Sequence, residues 1–314
     1  MNKPFKTILT EWMSAKSITR NELIAHLQLN NYEDFKGLDS ITLSRWLTGK
    51  TVPSAHKQLL ICKSIDADLI DFVKKINAKN VKCPSKKTKL ISEFIKLLDY
   101  INPTLSYKKA DATTKIHVDI FSYHQHQETL GDFYKNIRPI NQFTEELYEL
   151  TNEISYPTIR LLNEHDEMIG HWVGIEPLEK VHNLPSFPSL KPEEQDEGYL
   201  LNVSFFHDSK HFFYLISLAL CYYLLSPKFK NKRIAYIFIS GYSVYEVTKL
   251  VFDAEDVKYY PPQEKNSRLG VHLVKIDILK IIANPIVLPL IQKRLKCLEQ
   301  CNHDCQLCNL KNYL

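Results

Sequence analysis

The chain has 314 residues, of which 44% are hydrophobic and 24% charged, with a formal net charge of +4. That is long enough for two ordinary domains with cores of their own, and the composition excludes a disordered or fibrous chain. No apolar segment follows Met1 to Phe5, and the strongest apolar run, Phe212 to Leu225, is bounded by Lys210 and Lys228 and falls short of the roughly 18–20 residues that cross a bilayer. The expectation is a cytoplasmic protein without a membrane partner.

The charge is unevenly placed. Residues 1–110 hold 19 Lys and Arg against 10 Asp and Glu, while residues 111–314 hold 21 against 26. A basic first third points to phosphates as the partner of that part alone.

Residues 5–76 read as a compact helical unit. Phe5, Ile8, Leu9 and Trp12 have helical spacing. Thr19 with Glu22 three residues on has the pattern of a capping box ahead of Leu23, Ile24 and Leu27. Asp39 is a second candidate cap, followed by Leu43, Trp46 and Leu47, and Gly49 stands where a helix ends in a left-handed residue. Pro53-Ser54 opens another helix, and a short one from Asp68 to Ile76 completes the unit.

The stretch Asp39 to Ser54 carries the functional signal. A helix that reads DNA needs an apolar stripe to fix it and a short-sided polar face for the major groove. Leu43, Trp46 and Leu47 supply the stripe, and Ser40, Ile41, Ser44 and Arg45 lie on the other side. Gly49-Lys50-Thr51 offers backbone N–H groups, a cation and a hydroxyl, a cradle for a phosphate at the groove edge.

This stretch, Asp39, Thr42-Leu43-Ser44-Arg45-Trp46, Gly49-Lys50 and Pro53-Ser54, resembles the lambda-repressor-like (XRE-type) helix-turn-helix family, and Thr19 to Ala25 looks like that family's positioning helix. The resemblance covers residues 5–76. It implies base contacts from Ser40, Ile41 and Arg45, with Ser44 nearby, and phosphate contacts from Thr19, Thr42, Lys50 and Thr51 on double-stranded DNA. Leu29 to Lys36, between the two helices, is several residues longer than the family's tight turn, a departure from its pattern that bears on the register of the reading helix.

Residues 77–110 read as a basic linker, interrupted by Pro84, with a connecting helix from about Leu90 to Tyr100. From Lys115 the pattern turns to strands: 115–122, a hairpin over 158–175 turning at 163–167, then 199–206. A buried helix at 211–226, a strand at 233–240, a helix at 243–252 and strands near 256–260 and 270–276 follow. This order predicts an α/β (α+β) domain around one mixed sheet over 111–280.

That series, ending in Val251 to Tyr260, resembles the GNAT acetyltransferase fold. The family binds the pyrophosphate of acetyl-CoA at a glycine-containing turn between its fourth strand and the next helix. Here the turn reads Phe206-His207-Asp208-Ser209-Lys210-His211, without glycine. The fold is therefore expected without its chemistry: no enzyme, but a domain that dimerises or senses a small-molecule or protein effector. Among its histidines, His124 and His126 have a strand-like spacing that puts both on one face, and a surface or packing role is expected for them as for His117, His207 and His211.

Residues 281–314 are expected to form a C-terminal helix carrying Cys297, Cys301, Cys305 and Cys308. On an unbroken helix these thiols form one stripe about 16 Å long, too spread to share one zinc. Zinc needs a break near Asn302-His303-Asp304, and redox-active thiols or plain packing are the alternatives. Cys62 and Cys221 sit in apolar surroundings and are expected in the core.

Together these readings give a sequence-specific transcription regulator, a repressor rather than an activator, acting as a homodimer. The alternatives are an acetyltransferase fused to a DNA-binding module and an antitoxin-like interaction protein.

Overall fold

The computed structural model describes residues 3–77, 84–101, 115–263, 270–301 and 308–310. It divides into two compact units, Met1–Cys83 with Ile282–Gln292, and Pro84–Ile281 with Lys293–Leu314.

The first unit is helical: α1 (Phe5–Ala15), α2 (Arg20–Asn30), α3 (Tyr32–Phe35), α4 (Ser40–Thr48), α5 (Ala55–Ser64) and α6 (Leu69–Lys75). Four of the six helix starts are written in the sequence as side-chain caps. Thr19 and Glu22 form the expected capping box, and Asp39, Ser54 and Asp68 accept from the N–H three residues on. Phe5, Trp12 and Phe72 meet edge to face or tilted, with Trp12 and Phe72 centroids 4.8 Å apart, which ties the first helix to the last. The long connection between α2 and α4 is built around α3. Phe35 is buried, and the Gln28 side-chain amide donates to the carbonyls of Phe35 (3.3 Å) and Leu38 (2.9 Å), so the added residues are part of the core.

The second unit opens with α7 (Ser85–Ile101) and continues β1 (Lys115–Phe121), α8 (Tyr123–Lys135), α9 (Asn141–Glu146), β2 (Tyr156–Leu162) and β3 (Met168–Ile175). Then come α10 (Leu178–Val181), α11 (Pro192–Glu197), β4 (Gly198–Leu201), β5 (Phe205–Phe206) and α12 (Ser209–Leu225). β6 (Ile234–Ser240), α13 (Tyr242–Val251), β7 (Glu255–Tyr260), β8 (Val271–Asp277) and α14 (Ile278–Ile282) follow. α15 (Val287–Glu299) begins in the first unit and ends in the second.

The strands form one mixed sheet in the order β1-β2-β3-β4-β6-β8-β7, with β5 pairing β3 off this path. All described pairs are antiparallel except β4 with β6. A parallel pair needs a crossover, and α12 supplies it. Gly198 begins β4 because a Cβ there would lie 2.3 Å from the Glu194 carbonyl oxygen. One face of the sheet carries a large apolar core in which Tyr134, Phe143, Tyr156, Val173, Tyr236 and Phe238 are fully buried.

Three expectations are corrected by the fold. The 199–206 strand is two short strands, β4 and β5, because residues 202–204 leave the ladder. His124 and His126 lie on α8, not on a strand, so two residues of spacing separate their faces: His124 is exposed and His126 buried. The expected Cys-rich C-terminal helix stops at Glu299, so among the described cysteines of that cluster, Cys297, Cys301 and Cys308, only Cys297 is helical. Among the described residues no helix is long and apolar enough to cross a membrane.

Candidate functional site

α4 divides cleanly into two faces. Leu43 and Trp46 are buried and fix the helix to its unit. Ser40, Ile41 and Arg45 are exposed, Ile41 at 61%, and Ser44 is half-buried beside them. The expected reading residues therefore share one outward face. Asp39, in extended backbone, accepts from the Thr42 N–H at 2.7 Å, and that contact holds its carboxyl below the usual carboxylate range. Gly49 closes the helix at φ 74°, a backbone that side chains with a Cβ rarely adopt.

The expected phosphate cradle needs correction in its parts. Gly49 N–H donates to Trp46 O and Thr51 N–H to Arg45 O at 3.3 Å, so these two donors close the helix rather than face outward. What remains exposed there is the Lys50 ammonium and the Thr51 hydroxyl. The Thr19 hydroxyl likewise accepts from Glu22 N–H, though the residue is exposed, and Thr42 is half-buried at the helix start.

In the second unit the parallel strands part company. β4 ends at Leu201, opposite Ile237, while β6 runs on to Ser240 against β8. Behind the divergence lies a cavity of about 170 Å³, lined by Leu201, Val203 and Phe206 on one side, Ile237 to Ser240 on the other, and by α12 and α13. Its wall is apolar but for Ser204, Ser240 and Thr248, so it suits an apolar or acyl group.

The turn that should hold a pyrophosphate is occupied by acids. Asp208 caps α12 by accepting from His211 N–H at 2.8 Å, and Ser209 gives its N–H (2.9 Å) and hydroxyl (2.8 Å) to Asp99 of α7. Burial works to raise the Asp208 carboxyl, but contact with His211 outweighs it and holds the group at about 2. Two carboxylates at this helix start leave no cradle for a phosphate, so acetyl-CoA does not fit here by its pyrophosphate. The missing glycine is one signal of this in the sequence; Asp99, 110 positions away, gave none.

The remaining expected histidines and cysteines lie on several elements. His117 lies on β1 and is half-buried. His207 and His211 are both buried beside Asp208. Cys297 is exposed on α15, Cys301 follows the helix, and Cys308 bridges to Ile116 of β1. Cys305 lies outside the described residues, as does Cys83. Cys62 and Cys221 are fully buried as expected, and burial pushes the Cys221 thiol up to about 12.

No protein-family model and no curated protein matches the chain. Among solved structures, a protein provisionally described as a phosphinothricin N-acetyltransferase is similar over 52% of this chain and 98% of its own, at 9% identity and a TM-score of 0.31. A spermidine N-acetyltransferase chimera of Vibrio cholerae SpeG and hSSAT is similar over 53% and 97%, at 12% identity and a TM-score of 0.30. Both are described as N-acetyltransferases, and the expectation that this chain is no enzyme is corrected against them.

Proposed function

We propose that the protein binds double-stranded DNA through α4, as a helix-turn-helix regulator. The observation that carries this reading is the division of α4: Leu43 and Trp46 buried, with Ser40, Ile41 and Arg45 outward on one short-sided face. A helix of that kind can enter a major groove without unfolding. The excess of basic residues in the first third supplies the sequence-independent attraction. Because one such helix reads a half-site of about 4–5 base pairs, a homodimer on a two-fold site is part of the proposal. The resemblance favours repression.

Selection of bound DNA from a random pool, with the full chain at fixed salt, tests it. Enrichment of a motif with two inverted half-sites is the expected result. A pool that stays random after repeated rounds overturns the reading.

A second reading concerns the other unit: an acetyltransferase joined to the DNA-binding module. The apolar cavity where β4 and β6 diverge favours it, as does the run from strand to long helix to strand on which the GNAT resemblance rests. The carboxylates at the start of α12 stand against a donor held by its pyrophosphate at that turn. Calorimetric titration with acetyl-CoA decides: tight, stoichiometric binding supports this reading, and no heat up to millimolar donor sinks it.

A further inference from the structure

We propose that His207, Asp208 and His211 form a binding site for one divalent transition-metal ion of the zinc, cobalt or iron(II) class. The three residues sit at the junction of β5 and α12. His207 is anchored by its own N–H, which donates to Ile169 O of β3 at 2.9 Å. Asp208 is the cap of α12, and His211 lies in its first turn. One potential ligand atom from each residue lies within 4.8 Å of the others. Ligands on one ion at about 2.0–2.2 Å stand roughly 3–4 Å apart, so small side-chain rotations close the set.

The burial of the two imidazoles carries the inference further than the clustering does. His207 is 9% exposed and His211 2%, and of their four ring nitrogens only His211 Nδ1 has a close polar partner, Asp208 Oδ1. His211 Nδ1 lies 2.7 Å from Asp208 Oδ1, a direct polar contact, while His207 Nδ1 lies 3.7 Å from Oδ2, too far for a hydrogen bond. Buried polar atoms left unpaired are costly and rare in native folds. A cation between the rings satisfies a nitrogen of each and the carboxylate together.

The donor chemistry selects the ion. Two imidazole nitrogens and one carboxylate suit zinc, cobalt and iron(II), whereas magnesium and calcium prefer all-oxygen shells. Asp99, held on Ser209, adds a second negative charge close by. Three protein ligands leave a further position open on the ion. Phe206 and Phe212, next in sequence to the two histidines, line the apolar cavity.

Titration of the full chain, freed of metal by a chelator, with cobalt(II) chloride is the test. One equivalent should bind at micromolar or tighter affinity, with weak visible ligand-field bands and no thiolate charge-transfer band in the near ultraviolet. Proton spectra of the loaded protein should show two exchangeable, strongly shifted imidazole N–H signals. Asp208→Asn should weaken binding about 10- to 100-fold, and His207→Gln with His211→Gln should abolish it. Thermal melts without metal check that the variants are folded, and the two imidazole signals of the unaltered chain stand even if they are not. A charge-transfer band accounting for all the bound cobalt would move the site to the C-terminal cysteines. That result, no binding at 100 µM cobalt, or undiminished binding in the folded double variant would overturn the proposal.

Discussion

Arg45→Ala should erase the preference of the full chain for its selected site while leaving its melting temperature unchanged. The guanidinium is exposed on the outward face of α4, so truncation leaves no cavity and strips no core contact. In a major groove, the same fork can donate two parallel hydrogen bonds to guanine O6 and N7, worth about 1–3 kcal/mol of discrimination. The expected loss is therefore about 5- to 150-fold for each half-site that the homodimer reads, against a small loss on random DNA. Lys50→Ala is the contrasting variant, because an exposed ammonium at a helix end contacts phosphates without reading bases. It should weaken binding evenly across sequences and flatten the dependence on salt. Equal affinity of Arg45→Ala and the unaltered chain for the selected site, at one salt concentration, would show that α4 is not the reading element.

The helices of the first unit were legible in the sequence because their boundaries are chemical. Thr19, Asp39, Ser54 and Gly49 each act over three or four residues, and the structure uses them as the spacing foretold. α3 was not legible, since a four-residue helix has no periodicity and only Phe35 betrays it by being buried. Between β1 and β2 the 13-residue α8 went unread although Ser122 and Gln125 form its capping box. His124 and His126 looked like alternating strand residues because a spacing of two carries no mark of the backbone that bears it. The outward face of α4 was readable from one short segment, whereas the acid-filled turn at α12 was only half so. Its second carboxylate comes from α7, and sequence proximity says nothing about a contact made by folding.

The buried histidines His126 on α8 and His171 on β3 dictate how the protein meets acid. His126 lies between two phenol rings, 4.1 Å from Tyr156 and 5.1 Å from Tyr134, and neither of its nitrogens is hydrogen-bonded. His171 on β3 is as deeply buried, with Nε2 3.4 Å from the Tyr134 hydroxyl and Nδ1 unpartnered. Burial lowers His126 from the ordinary 6.5 to about 4 and His171 to about 3, the latter pushed further by His126. The unfolded chain thus takes up protons below pH 6.5 that the folded chain refuses. Stability is full above pH 6.5 and is lost as pH falls through the folded values. Each histidine contributes a slope of up to about 1.4 kcal/mol per pH unit, which for His126 integrates to about 3 kcal/mol. Urea unfolding at pH 7, 5.5 and 4.5 should show this loss. His126→Phe keeps the stacked ring and removes the titration, so its stability should fall less steeply, by about 1 kcal/mol per pH unit. Parallel loss in both proteins would mean that His126 is not held neutral between the tyrosines, and that the acid sensitivity of the fold comes from its carboxylates instead.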